Sequence, residues 1–289
     1  HWHPFIAEAV SEIEQSGIQR LVGIVMAPHY SRMSVETYFD RLSQALRARS
    51  IPMDVVRIDS WKDDPGYLDT LEARIRSGLA RFPAGARPEV TLIFTAHSLP
   101  KRILEWADPY PNELAVTVQA LRARFPNQRS HFAYQSSAMT PEPWLGPDAG
   151  DLMLSLIEDG TKQFLVIPIG FVSEHVEILY DVDFEFKRQV AAAGGRLERI
   201  EMPSADPIMM SSLARLVMQE GLFTGAEHYA ITHPGRVTLW GVEDEPLYLE
   251  HLDTYQAGAA RQAEAEAILR RLREHLSSLR ATRYPKALH

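Results

Sequence analysis

Residues 164–177 read FLVIPIGFVSEHVE: an unbroken apolar run that passes through a glycine into a segment dense in carboxylate and imidazole. Positions 164–168 show no polar alternation, which is the pattern of a strand covered on both faces in a parallel sheet. Residues 90–95, VTLIFT, have the same character. Further strands are expected at 21–26 (LVGIVM), 53–58 (MDVVRI), 131–135 (HFAYQ) and 197–200. Between them, amphipathic periodicity predicts helices over 5–15, 35–49, 67–81, 111–124, 150–159, 176–193 and 207–219. Strand and helix in alternation read as an α/β fold, a doubly wound parallel sheet with helices on both faces. Ligands of such sheets collect at the carboxyl ends of the strands.

Three of those strand ends carry reactive side chains: APHYS at 27–31, AHSLP at 96–100 and GFVSEHVE at 170–177. A fourth connection runs from Gln135-Ser136 to WLGPD at 144–148. Histidine after three separate strands is more than composition alone would give. Glu177, Asp181 and Glu185 stand at i, i+4 and i+8, so on one helix they form a single carboxylate row. Like charges at that spacing repel by a few tenths of a kcal/mol per pair (~0.2–0.5). A path for a hydrated divalent cation would justify that cost; a plain acidic surface face is the alternative. His97 follows its strand with only Ala96 between. It reads either as a satisfied polar group at a sheet end or as a ligand. If the two strand ends adjoin, His97 and Glu177 face each other across a cleft, and imidazole and carboxylate serve both as first-row metal ligands and as general bases. His29 is ambiguous between function and hydrogen bonding within its loop, and His1 and His3 stand at a chain start where disorder is expected.

The chain has 289 residues and no cysteine, which excludes disulfides, thiolate metal sites and a cysteine-ligated iron–sulfur cluster. A net charge of -8 argues against a nucleic-acid partner. Residues 164–172, the longest apolar run, are too short to span a bilayer, and no secretory leader pattern is seen, so a cytoplasmic location is expected. No G-x-S-x-G elbow surrounds Ser98, and G-x-G-x-x-G, P-loop and H-E-x-x-H motifs are absent. From about residue 222 the strand–helix rhythm lapses. A strand is expected at 236–242 and a long Ala/Glu/Arg-rich helix at 256–280, packing on the domain or supporting self-association.

Several separate segments resemble the ferrochelatase family in order and spacing: TAHSLP (95–100), DPYP (108–111), YQS (134–136), WLGPD (144–148) and GFVSEHVEILYDVDFE (170–185). HWHPFI (1–6), APHYS (27–31) and MPSADP (202–207) are most similar to the bacterial type that metallates coproporphyrin III. The resemblance implies a chelatase-like, Rossmann-like domain over residues 1–221, followed by a mostly helical extension, 222–289. It implies insertion of Fe2+ into a porphyrin in haem biosynthesis, with porphyrin and ferrous iron as substrates and no prosthetic group. By that resemblance His97 and Glu177 are catalytic, on opposite faces of the porphyrin, and both also handle the metal. Asp181 and Glu185 would relay metal along a helix the family often winds as a π-helix. His1, His29, Tyr30, Ser31, Ser98, Tyr134 and Trp144 would shape or contact the porphyrin cleft. The family's amino-terminal segment is expected upstream of His1, since the chain opens on His rather than Met. Two other readings share these residues: a cobalt or nickel chelatase for another tetrapyrrole, and a non-catalytic tetrapyrrole or metal carrier.

Overall fold

The structure, a computed structural model, describes residues 4–138 and 140–221, the last two without their side chains. His1, and with it the extension at 222–289 with its expected strand and helix, lies outside the described residues. No described helix is long and apolar enough to cross a membrane. The described residues divide into two compact units, one holding 4–22, 52–56 and 213–221, the other 23–51 and 57–212.

The smaller unit contains α1 (Ile6–Gln15), whose first turn is closed by Glu8 accepting the Phe5 N–H at 2.7 Å. Arg20 and Asp54 pair at 2.7 Å where β1 (Arg20–Ile24) and β2 (Asp54–Ile58) form a two-stranded sheet. Among the described residues the six strands thus hydrogen-bond as two sets.

In the larger unit four strands, β3 (Thr91–His97), β4 (Ser130–Gln135), β5 (Gln163–Pro168) and β6 (Arg196–Arg199), make a wholly parallel sheet in the order β4-β3-β5-β6. β3 and β5 are the central pair, and they are the two strands whose sequences lack alternation. Leu92, Ile93 and Phe94 are completely buried, a gain of about 1.5–3 kcal/mol each. Alternation of side chains along β5 sends Phe164 and Val166 to one face and Leu165 to the other. The first face packs under α5 (Ala149–Glu158), a π-helix (Ile178–Phe186) and α6 (Lys187–Ala192), through Met153, Ile178, Val182, Phe186 and Val190. On the second face α3 (Pro65–Ala80) approaches so closely that a Cβ on Gly78 would lie 2.8 Å from Leu165. Helices α2 (Val35–Ala48), α4 (Tyr110–Arg124) and α7 (Pro207–Gly221) complete the set.

Helix starts follow local chemistry. Asp64 accepts the Tyr67 N–H at 2.9 Å with Pro65 in the first turn, and Asp148 accepts from Gly150 and Asp151 at 2.8 and 3.2 Å. The helix after β5 winds as a π-helix over nine residues. Its apolar positions (178, 182, 186) and its acidic ones (177, 181, 185) both repeat every four residues. That repeat lies between the 3.6-residue α turn and the wider turn of an i→i+5 ladder.

Candidate active site

His97 closes β3, and its register partner on β4 is Gln135. On the other side, the chain leaving β5 stays bound to β3: the N–H groups of Ile169 and Gly170 donate to Thr95 O at 2.8 and 3.4 Å. Gly170 suits this close approach, because a Cβ would lie 3.0 Å from the Ala96 Cβ and 3.2 Å from its Cα, both tighter than ordinary contact. Two neighbouring parallel strands thus deliver the imidazole and the 170–177 loop to one end of the sheet.

Glu177 Oε2 lies 3.5 Å from His97 Nε2 and 3.8 Å from His175 Nε2. The Phe171 ring packs beside both imidazoles, with centroids 6.3 Å from His97 and 4.4 Å from His175. His97 is held from behind. Its carbonyl accepts from Tyr110 Oη at 3.0 Å, and its Nδ1 lies 2.5 Å from Ser98 O. A carbonyl only accepts, so this contact puts a proton on Nδ1 and leaves Nε2 facing Glu177, as a lone pair in the neutral ring or as an N–H in the imidazolium. Two acceptors at 3.5 Å repel unless a proton or cation lies between them. Ligands about 2.1 Å from a shared ion stand roughly 3.0–3.4 Å apart, close to the spacing seen. The side chains are 33% and 44% exposed, so an ion can reach the pair from solvent.

Asp181 is placed by a relay from the sheet. Thr95 donates to Gln135 Oε1 at 2.7 Å, Gln135 Nε2 approaches Ser136 Oγ at 3.5 Å, and Ser136 donates to Asp181. Ser136 adopts a φ of 59°, a left-handed conformation that costs a non-glycine residue about 1–3 kcal/mol and turns its hydroxyl toward the π-helix. Asp148, near Asp181, has its carboxyl pushed up by burial despite two backbone donors. Glu185 is part-buried one step further along the row. Among the described residues no three His, Asp or Glu side chains gather into one metal cage.

The other expected cleft residues differ in exposure. His29, Ser31, Ser98 and Tyr134 are 2%, 0%, 1% and 6% exposed. His29 Nε2 bonds Thr117 Oγ1 at 2.8 Å, and burial, with Lys62 nearby, pushes its pKa down to about 3. Ser31 donates to Asp108 at 3.0 Å, and Asp108 in turn accepts the Tyr110 N–H at 2.9 Å. Ser98 donates to Leu145 O at 2.8 Å, while the Tyr134 N–H donates to Pro147 O. The Ser31 and Ser98 hydroxyls and His29 Nε2 are thus engaged inside the protein, while His29 Nδ1 is buried without a hydrogen-bond partner among the described residues. Tyr30 and Trp144 do reach the surface; their side chains bond Glu36 and Thr140, both at 2.8 Å. His97 and Glu177 stand 3.5 Å apart, so a macrocycle lying between them requires the pair to part. Sequence reasoning missed His175 and Phe171. Their signal was proximity to Glu177 within one loop, which spacing alone does not distinguish from a surface turn.

Comparison with known proteins bears directly on this arrangement. The solved structure of SirB from Bacillus subtilis with Fe3+ superposes with a TM-score of 0.59 at 8% identity, over 78% of this chain and 81% of that one. At that identity the likeness is one of fold, and it establishes the chelatase-like α/β architecture. Sequence similarity goes further. A ferrochelatase of Herpetosiphon aurantiacus is 39% identical over 217 residues, 75% of this chain and 71% of that protein. A coproporphyrin III ferrochelatase of Geobacillus kaustophilus is 38% identical over 229 residues, 79% and 72% of the two chains. One from Bacillus subtilis is 36% identical over 221 residues, 76% and 71%. The Ferrochelatase family matches residues 1–221, a span that takes in β3, β5 and every side chain of the His97–Glu177 site, and the chain belongs to that family.

Proposed function

We propose that this protein inserts Fe2+ into coproporphyrin III, with His97 and Glu177 as the groups that exchange protons and metal at the pyrrole nitrogens. Membership of the family establishes iron insertion into a porphyrin as the reaction. The choice of porphyrin rests on the relatives named coproporphyrin III ferrochelatase at 36–38% identity. The observation that carries the residue assignment is the 3.5 Å approach of His97 Nε2 to Glu177 Oε2 at the carboxyl ends of β3 and β5.

Metal insertion needs the flat macrocycle bent, two pyrrole N–H protons removed and a hydrated cation stripped of water. Binding energy at the ring's periphery can hold the bend. His97, with its proton on Nδ1, offers Nε2 as a base or ligand; Glu177 offers the complementary carboxylate. Asp181 and Glu185 act as successive stations for the incoming cation, consistent with their separation along the π-helix. A macrocycle between His97 and Glu177 needs about 3.5 Å of clearance on each face, so the pair must part to roughly 7 Å. Both side chains are part-exposed, and a rotamer change of either supplies much of that travel.

Glu177→Gln tests the assignment. Porphyrin affinity, followed by fluorescence titration, is expected to stay near wild type while anaerobic Fe2+ insertion falls by ~100-fold or more. Retained turnover would remove Glu177 from the chemistry. Parallel assays with coproporphyrin, protoporphyrin and sirohydrochlorin test the substrate.

A further inference from the structure

We propose that Arg199, the last residue of β6, is a positioning residue that sets the place of Glu177 by clamping the chain on both sides of it. The inference rests on the Glu177 reading above and adds a residue whose hydrogen bonds, among the described residues, go to Asp183, Glu174 and Ile200 and not to Glu177 itself.

The Arg199 side chain is 9% exposed. Its Nε and Nη2 donate to the two oxygens of Asp183 at 3.1 and 2.7 Å. Nη1 donates to Glu174 Oε1 at 3.1 Å and to Ile200 O at 2.8 Å, and Nη2 lies 3.1 Å from Glu174 Oε2. The guanidinium is thereby used along its whole edge, and the two carboxylates hold its pKa above the ordinary value despite burial. Glu174 is three residues before Glu177 and Asp183 six residues after it. One planar cation therefore ties the loop that enters the site to the π-helix that leaves it.

The anchor itself does not move easily, since Arg199 is paired in register with Val166 at the centre of β5. The loop needs such an anchor. Ser173 to His175 belong to no strand or helix, and the nearest backbone tie upstream is Ser204 N–H to Val172 O. Without Arg199 the Glu174 and Asp183 carboxylates would face each other across a half-buried gap. Lys187 sits 3.1 Å from Asp183 and could offset that charge, but Lys187 lies on the same helix and cannot hold the loop. Lysine at 199 restores one charge without the planar fork that reaches two carboxylates at once.

The test compares Arg199→Leu, Arg199→Lys and Glu174→Gln with Glu177→Gln, and uses Arg76→Ala, which breaks an exposed ion pair on α3, as the control. Displacing a reacting group by about 1 Å costs up to ~100-fold. Arg199→Leu is therefore expected to lower kcat by ~10- to 100-fold with porphyrin affinity within about threefold of wild type. Arg199→Lys should recover part of the loss, and Arg76→Ala should match wild type. Amide exchange across 173–183 should rise in Arg199→Leu while β3 and β5 stay protected. Unchanged kcat and exchange in Arg199→Leu would overturn the proposal. If Arg199→Leu fails to fold, Glu174→Gln decides: normal kcat and normal exchange in that variant also overturn it. If Glu177→Gln itself turns over normally, the catalytic reading fails. In that case exchange across 173–183 still reports whether the clamp exists.

Discussion

Gly170→Ala isolates the close contact that brings the two halves of the site together. The added Cβ would stand 3.0 Å from the Ala96 Cβ and 3.2 Å from its Cα. Non-bonded carbons prefer about 3.5–4.0 Å, so the chain leaving β5 must retreat by a few tenths of an ångström. Ala96 cannot yield in its place: it is completely buried in β3, in register with Tyr134. Overpacking of this kind costs about 1–3 kcal/mol. The retreat also carries Phe171, His175 and Glu177 away from His97, whose backbone N would lie 3.6 Å from the new Cβ. A displacement of about 1 Å at a reacting group costs up to ~100-fold, and a shift of a few tenths only part of that. Urea unfolding is expected to report the stability loss, and anaerobic Fe2+ insertion, followed by loss of porphyrin fluorescence, a fall in kcat of up to about 10-fold. Gly85→Ala, where a Cβ meets nothing within 4 Å, provides the neutral comparison. If Gly170→Ala matched wild type in both stability and kcat, the close approach would not be what sets the site.

Three further outcomes follow from particular residues. The folded pKa of His29, near 3, lies below its unfolded value of 6.5, so the unfolded chain takes up the proton first. Its contribution is complete above about pH 6.5 and is lost as pH falls toward 3, by up to ~1.4 kcal/mol per unit. His29→Gln should flatten that part of the stability–pH curve measured by chemical unfolding, and an unchanged slope would place the acid sensitivity elsewhere. Asp181→Asn should raise the Fe2+ concentration needed for half-maximal insertion while leaving porphyrin affinity alone; steady-state assays varying each substrate separately check this. Asp148→Ala removes the acceptor for two N–H groups at the start of α5 and should cost about 1 kcal/mol, read from thermal unfolding.

Much of this protein is written in local pattern. Unbroken apolar runs at 90–95 and 164–168 mark β3 and β5 as strands covered on both faces, because a side chain on either face must meet a helix and not water. Acidic residues at the helix starts are visible as caps, since capping is decided within four residues. The strand-end position of His97 and the four-residue repeat of carboxylates can likewise be read from order and spacing alone. What required the tertiary structure were facts of adjacency between distant segments. β3 and β5 are neighbours, which brings residues 97 and 177 to the same end of the sheet, where they stand 3.5 Å apart. His29, Ser31, Ser98 and Tyr134 look as reactive in sequence as His97, yet all four are enclosed, with His29 Nε2 and the Ser31 and Ser98 hydroxyls bonded to Thr117, Asp108 and Leu145. Arg199, an ordinary basic residue at the end of a short strand, acquires its two carboxylates only because β6 lies beside β5. Periodicity is a property of the chain with itself over a few residues; burial and partnership depend on which strands become neighbours, and that is settled when the core closes.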